Sequence, residues 1–244
     1  MRSSWADAFA ALPLITPEDL VGNRHVLVIA PHPDDESLGC GGLLAWAART
    51  GHQPRVLFLT DGEKSHPGSA LFPTERLAGI RRQEGVDACA ALGLACQALT
   101  YLGYPDGGLS SLNAMQGEAL TSEIRRWISV SGSSAVFVTA QTDPHGDHEA
   151  AYGWTKRAVQ GCTQARLFAY PVWTWIRDDL VSANLALGRR LSTGPFGDAK
   201  RAAIAAHASQ LGKIVNDASE PFVLPPPLLA HLSQDYEVVF HVQL

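Results

Sequence analysis

Ile29-Ala30-Pro31-His32-Pro33-Asp34-Asp35-Glu36 is the stretch that decides how this chain is read. It continues from four apolar residues, Val26-Leu27-Val28-Ile29, and packs one imidazole and three carboxylates into a single turn. Charge at that density, at the end of an apolar strand, does not serve packing. Ligands of open α/β sheets sit outside the carboxyl ends of the strands, so this turn is a candidate site. Asp34 and Asp35 are adjacent, and their side chains diverge whether the backbone is extended or helical. One can therefore face a metal while the other faces a ligand. His32 and Asp35 are three apart, so one helical turn sets them on the same side. Imidazole with carboxylate is common zinc ligation, and two adjoining acids favour an opposite charge between them. The bland alternative is that Asp34, Asp35 and Glu36 only complement a helix dipole. The His-Pro in front, at the end of a buried strand, argues against it.

Outward from this turn, apolar runs alternate with helical periodicities. The pattern predicts a short helix over 4–11, a turn or helix start at Thr16-Pro17, and a strand over 25–30. A small-residue helix runs from Leu38 to Thr50 and stops at Gly51. A strand from Arg55 to Thr60 leads into a polar loop reaching Pro73, roughly a dozen residues and long for an α/β connection. The spacing then predicts a helix from Thr74, as N-cap, to Leu92, with Gly93 as stop. A strand over 97–102 ends in the polar turn Tyr104-Pro105-Asp106-Gly107-Gly108. An amphipathic helix from Gln116 to Val130 uses Leu120, Ile124, Trp127 and Ile128, and Ala135 to Thr139 is the next strand. Beyond a second polar cluster come a helix to about Gly161 and a strand from Arg166 to Val172. Leu180 to Ser192 is ambiguous: Leu185-Ala186-Leu187 either ends a helix or starts an outlying strand. Lys200 to Leu211 is alanine-rich and helical, Pro225-Pro226-Pro227 breaks the chain, and Tyr236 to Val242 is a final strand. Alternation of this kind defines an α/β fold, a mostly parallel sheet with helices on both faces. One domain is expected over residues 1–244, with a less regular elaboration around 173–200 and the C-terminal strand over 236–242.

The totals narrow the partners. The chain has 244 residues, 46% hydrophobic, with net charge −5. That balance disfavours a nucleic-acid binder, which neutralises phosphates with clustered cations. No apolar run approaches the about 18 residues of a membrane span. Met1 to Leu20 lacks the basic-then-apolar pattern of a secretion signal. Cys40, Cys89, Cys96 and Cys162 form no C-x-x-C pair, so each reads as a buried, inert thiol in a cytoplasmic protein. Assembly as a homo-oligomer is left open.

The second polar cluster is Thr142-Asp143-Pro144-His145-Gly146-Asp147-His148-Glu149. It follows the strand at Ala135–Thr139, so in a parallel sheet it emerges at the same edge as His32 and Asp35. One histidine from here would complete a two-His, one-Asp set with a position left for water, the mark of a catalytic metal site. The other would be free to act on substrate. Gly39, Gly41 and Gly42 invite a nucleotide-loop reading, but the fingerprint belongs at the turn itself, and this turn is acidic.

With these residues in view, Pro31-His32-Pro33-Asp34-Asp35-Glu36 followed by Gly39-x-Gly41-Gly42 resembles the first motif of the PIG-L/LmbE-like deacetylases. His145-Gly146-Asp147-His148 is similar to their H-x-D-H motif, with Gly146 where many members carry proline. Asp143 stands where some sugar-inositol deacetylases use tyrosine. Thr60-Asp61-Gly62, Arg81-x-x-Glu84 and the segment from Lys200 through His207-Ala208-Ser209-Gln210 resemble family positions more loosely. The resemblance implies a Rossmann-like fold and removal of acetyl groups from N-acetylglucosamine-type amines or glycoconjugates. It implies Zn2+, with Fe2+ also suited to such a ligand set. It makes His32, Asp35 and His148 the metal ligands, Asp34 the base and His145 the oxyanion donor.

Chemistry agrees with that division. Zinc lowers the pKa of its water to about 7 and polarises a carbonyl. Asp34, beside a ligand, is placed to take a proton from that water and pass it to nitrogen. A protonated His145 would donate to the tetrahedral oxygen, with Asp147 holding its ring. Arg81 is a candidate for a substrate hydroxyl or anionic group, against a plain solvent-facing arginine. His66 in the long loop and His207 in the alanine-rich helix are further substrate-contact candidates. Tyr170, Trp173 and Trp175 could stack on a sugar, though packing suits them better. Two rivals remain: a non-haem iron oxygenase, whose triad usually sits in an all-β barrel, and an inactive carbohydrate-binding relative.

Overall fold

Strand after strand in this chain is apolar on both sides, and the structure shows why. The computed structural model describes residues 4–130, 135–177, 179 and 184–244. Among them, eight strands form one sheet in the order β1-β7-β8-β6-β5-β2-β3-β4. The strands are β1 (Leu14–Ile15), β2 (Val26–Ala30), β3 (Arg55–Thr60), β4 (Leu99–Tyr104), β5 (Ala135–Thr139), β6 (Arg166–Tyr170), β7 (Gly188–Ser192) and β8 (Tyr236–His241). The helices are α1 (Trp5–Ala10), α2 (Pro17–Val21), α3 (Asp35–Thr50), α4 (Thr74–Ala91), α5 (Ala114–Val130), α6 (Gly146–Val159), α7 (Gly197–Ala206) and α8 (Pro226–Leu232).

β2 and β5 are buried over their whole length. Side chains alternate across a strand, so Val26, Val28 and Ala30 enter one core with α3, α4 and α7. Leu27 and Ile29 enter the other, with α5 and α6. The fold is thus the mostly parallel α/β sheet, helices on both faces, that the alternation predicts. An all-β barrel, the usual host of the oxygenase triad, is excluded. α3 lies close on the sheet because Gly39 has no side chain, and a Cβ there would collide with the Tyr170 ring.

β2 pairs in parallel with both β3 and β5, with Ile29 opposite Leu57 and Val138. The chain builds outward from β2 to β3 and β4, then returns to place β5 and β6 on the other side. This reversal is the topological switch where a crevice opens above the strand ends. The segments after β2, β3, β4, β5 and β6 all leave at that edge.

Several sequence expectations change. Thr74 is the first residue of α4, and the cap position is Pro73, which offers no side-chain acceptor. Tyr104 ends a strand rather than opening a turn, and a tight turn at Cys96–Ala98 displaces β4 from its expected 97–102. Pro226 starts α8, where its missing N–H costs nothing, so the triple proline initiates a helix instead of only breaking the chain. Around 173–200, residues 178 and 180–183 lie outside the described residues. Leu185–Leu187 is a single tight turn before β7. β8 inserts antiparallel between β6 and β7, making the supposed elaboration part of the sheet. α7 ends at Ala206, and a tight turn, Ala208–Leu211, continues after His207. Cys40 and Cys89 are buried as expected, but Cys96 is exposed and Cys162 half-buried.

Candidate metal centre

The turn after β2 is held from three sides. Thr60 at the end of β3 donates from its N–H and its hydroxyl to Pro31 O, at 3.0 and 2.8 Å. Arg81 of α4 reaches in to donate to Pro33 O (2.7 Å) and Gly62 O (2.9 Å), and pairs with Asp34 Oδ2 at 3.1 Å. Glu36 Oε2 accepts the Asp34 N–H at 2.9 Å. Asp34 itself has φ 149°, a conformation a non-glycine residue rarely adopts. The braces on both sides keep it there. Asp35 opens α3, and its Oδ2 turns back to accept the His32 N–H at 3.0 Å.

His32 and His148 face Asp35 across the switch point. His32 Nδ1 lies 3.3 Å from Asp35 Oδ2, and His148 Nε2 lies 3.3 Å from Asp35 Oδ1. Both are longer than the about 2.7–2.9 Å of a charge-assisted hydrogen bond. Ligand atoms about 2.0–2.2 Å from a tetrahedral zinc stand roughly 3.3–3.5 Å apart, which fits. The opposite ring nitrogens are fixed by carboxylates, as zinc-binding imidazoles usually are. His32 Nε2 meets Asp147 Oδ2 at 3.2 Å and Asp106 Oδ1 at 3.1 Å, and His148 Nδ1 meets Asp143 Oδ2 at 2.9 Å. All of these residues are buried.

Electrostatics point the same way. Burial opposes charge on His32, yet Asp106, Asp147 and Asp35 raise its pKa well above the usual imidazole range. Burial likewise opposes charge on His148, but Asp35 and Asp143 lift it to about 9. Burial would push Asp35 up, and His148 and His32 outweigh it, driving its carboxyl well below the ordinary range. A pocket this eager for positive charge fits a divalent cation.

Asp34 differs. Burial pushes it up to about 6, Arg81 pulling it down and Asp35 pushing it further up. It faces the same cleft, a cavity of about 510 Å³ that also receives His145, Arg81 and Asp106. Ligand pockets typically measure roughly 300–1,000 Å³.

His145 is brought within reach: its ring centroid lies 4.9 Å from that of His32 and 4.7 Å from that of His148. Burial and then the charges of His148 and His32 lower its pKa to about 4, so its ring is neutral, not protonated as expected. Its Nδ1 accepts the Asp147 N–H at 3.3 Å. The Asp147 carboxylate does not hold that ring. It holds His32 and takes the N–H groups of Gly107 (2.7 Å) and Leu109 (3.0 Å).

Arg81 lines the cleft and is 3% exposed, so the solvent-facing alternative is excluded. His66 and His207 are buried and do not line it. His207 Nε2 sits 3.1 Å from Glu36 Oε1, behind the turn. Tyr170 donates to Ile29 O at 2.9 Å inside the core, and Trp175 packs on Phe9, so of the three aromatics Trp173 alone reaches the cleft.

Sequence reasoning missed two carboxylates. Asp143 accepts from the Val172 N–H (3.0 Å) and from the Thr174 N–H (2.9 Å) and hydroxyl (2.6 Å), as well as meeting His148. Its position five residues before His148 was the available signal, since only a fold-back through Pro144 brings the two together. In the sequence Asp106 is one residue of a polar turn. Nothing local marked it as a partner of His32.

Fold and cluster together define a class: an α/β protein whose sheet switch point carries clustered histidines and aspartates, where the ligand atoms of His32, His145 and His148, and those of His32, Asp106 and Asp147, come within 4.8 Å of one another and could hold a metal ion. Residues 27–159 match the family described as PIG-L: GlcNAc-PI de-N-acetylase, and the chain belongs to that family. A 2'-N-acetylparomamine deacetylase of Streptomyces fradiae is 29% identical over 146 residues, covering 54% of this chain and 51% of that protein. A probable N-acetyl-alpha-D-glucosaminyl L-malate deacetylase 2 of Bacillus cereus is 32% identical over 142 residues, covering 56% of this chain and 61% of that protein. The chain thus spans little more than half the length of the two curated relatives. The conserved protein TT1542 of Thermus thermophilus matches in structure with a TM-score of 0.59 at 30% identity, covering 84% of this chain and 96% of that one. No helix among the described residues is long and apolar enough to cross a membrane.

Proposed function

We propose that this protein is a divalent-metal-dependent hydrolase that removes the N-acetyl group from an N-acetylglucosamine-type amino sugar or glycoconjugate. The observation that carries this reading is the pairing of His32 and His148 with Asp35, each imidazole 3.3 Å from one of its oxygens, with the buried carboxylate of Asp34 outside that pairing in the same cleft. His32 Nδ1, Asp35 and His148 Nε2 would hold the ion, Zn2+ by their donor type. When bound, the cation supplies a water of lowered pKa and a polarised carbonyl.

The protein does the rest. Asp34, with a pKa near 6, is ionised at neutral pH and basic enough to accept a proton from the attacking water. Arg81 and Glu36 hold it in one orientation, so the same carboxyl can deliver that proton to the departing nitrogen. His145 acts as a neutral donor. Its Nδ1 is occupied as an acceptor, which leaves the proton on Nε2 to meet the developing oxyanion. Asp106, Asp147 and Asp143 orient the ligand imidazoles. Arg81 and Asp106 also line the cleft, where Arg81 is held by Pro33 O, Gly62 O and Asp34 and Asp106 by His32 and the Lys64 N–H.

The test is free-amine release from N-acetylglucosamine and its glycosides by the full chain, with and without chelator. Amine that appears only with the metal supports the reading. Amine release insensitive to exhaustive chelation, or none from any N-acetylated sugar, refutes it.

A further inference from the structure

Part of the cleft is walled by chain outside the stretch that matches the family. Residues 213–225 run alongside the long loop after β3 and are laced to it. Asp217 accepts from Ser69 Oγ (2.6 Å) and from the N–H groups of Ala70 (3.0 Å) and Leu71 (2.8 Å). The Ser219 hydroxyl donates to Pro67 O at 3.1 Å. The two segments approach so closely at Gly68, φ 77°, that a Cβ there would collide with Ser219 Oγ. At the inner end, the Leu224 N–H donates to Gln210 O at 2.9 Å. The lacing presents Phe222 to Trp173, with ring centroids 5.9 Å apart and planes at 73°. Both rings are half-buried, and both line the cleft that holds His32, Asp34 and His148. Pro67, Pro221 and Leu224 extend the same apolar wall.

The charges of the cleft are disposed so that this wall stays apolar. Arg81 is committed to Pro33, Gly62 and Asp34. Asp106 is committed to His32 and the Lys64 N–H. The exposed charges on the lining, Lys64 and Glu220, are opposite in sign. Among the described residues lining the cleft, the one arginine is thus already paired, Asp34, Asp35 and Asp106 are engaged at the reaction centre, and Glu220 is the one exposed acid. Half-exposed aromatic rings beside a polar reaction centre suit a flat apolar ligand group, bound edge-on or offset.

We infer that the Trp173–Phe222 wall is a subsite for the group attached to the amino sugar, and that this group is an aryl aglycone. The inference rests on the deacetylase reading above. The two family relatives named above carry malate and paromamine descriptions, so membership leaves the second moiety open, and the aromatic wall is the feature that bears on it.

The experiment compares free N-acetylglucosamine, its 4-nitrophenyl glycosides in both anomeric forms and its malate glycoside. It uses kcat/KM on the zinc-loaded full chain and calorimetric Kd on Asp34→Asn protein. One aryl glycoside is expected to exceed the free sugar and the malate glycoside at least about tenfold in both measurements, the scale of one apolar group in a pocket. Phe222→Ala and Trp173→Ala should each shrink that aryl-to-free ratio about tenfold, and Phe222→Leu should restore part of it. A ratio near one, a preference for malate, or a ratio unmoved by both alanine variants overturns the subsite. So does an equal loss on free and aryl substrates, which would assign the pair to the sugar ring. Tight aryl binding without amine release sinks the deacetylase reading and leaves the subsite standing. Amine release without aryl preference does the reverse.

Discussion

Asp34 and Asp35 are neighbours of identical chemistry, yet their partners separate them: two imidazoles hold Asp35 ionised, while burial lifts Asp34 to about 6. Replacing Asp34 by Asn keeps size and shape and removes the carboxylate proposed as proton acceptor. The variant is expected to retain one equivalent of metal by elemental analysis and to lose about 10²–10⁴ in kcat; near-normal turnover would show that the base lies elsewhere. Asp143 touches His148 and not the ion position. Asp143→Ala should weaken zinc affinity about 10–100-fold in competition with a chromophoric chelator, and unchanged affinity would reduce it to a loop brace. With no cation bound, His148, at about 9, and His32, held well above the usual imidazole range by its carboxylate partners, favour the protonated form at neutral pH. Ligation needs neutral rings, so zinc uptake must release protons and tighten as pH rises toward 9. Calorimetry in two buffers of different ionisation enthalpy reads the number released, and identical heats would contradict the raised pKa values.

Elements hold the site through buried polar joints. Glu237 of β8 accepts the N–H groups of Gly42 and Leu43 in α3, at 2.7 and 2.9 Å, and pairs with Lys200 Nζ of α7 at 2.7 Å. Three elements thus meet at one carboxylate that is 3% exposed. Removing its partner leaves a buried charge, so Lys200→Met should cost about 3–5 kcal/mol in urea unfolding. The double variant Lys200→Met, Glu237→Gln should recover part of that loss, and a single-variant cost under about 1 kcal/mol would mean the joint is replaceable. Glu84 of α4 plays a similar part, capping the turn after His207 through the Ser209 N–H (2.7 Å) and hydroxyl (2.6 Å). The Arg81-x-x-Glu84 spacing therefore serves two anchors, Arg81 on the turn after β2 and Glu84 on the turn after His207. His207 works from behind the turn, on Glu36, and not on the cleft wall.

Over the whole molecule, the candidate metal centre draws together segments that follow two adjacent strands far apart in sequence. A cation that binds only the folded chain stabilises it by mass action, about 2.7 kcal/mol at a hundredfold excess over Kd. For a chain of this length that corresponds to roughly 5–11 °C in Tm. Thermal melts with zinc and with chelator should differ by that much, and coincident melts would mean that His32, Asp35 and His148 do not bind the ion together. The alternating apolar runs made the layered sheet legible, because a strand covered on both faces must be apolar throughout, as β2 and β5 are. The reversed direction of β8 was not legible, since Val238 and Val239 are both buried and an apolar pair carries no signal of strand direction. Nor was β1, whose two residues carry no period.

The sequence by itself determined that His32, Asp35, His145 and His148 would stand at one edge of a parallel sheet, because strand direction and the placement of turns are local and periodic. It also determined that two adjacent acids would take different orientations. Only the tertiary structure decided which carboxylate orients which imidazole: Asp143 on His148, Asp106 and Asp147 on His32. It alone decided that Arg81 and Glu36 brace Asp34, that His145 stays neutral, and that Phe222 stands against Trp173. Those are contacts between residues distant in the chain. Their geometry is set by how helices and loops pack over the strand ends, and no spacing along the sequence encodes it.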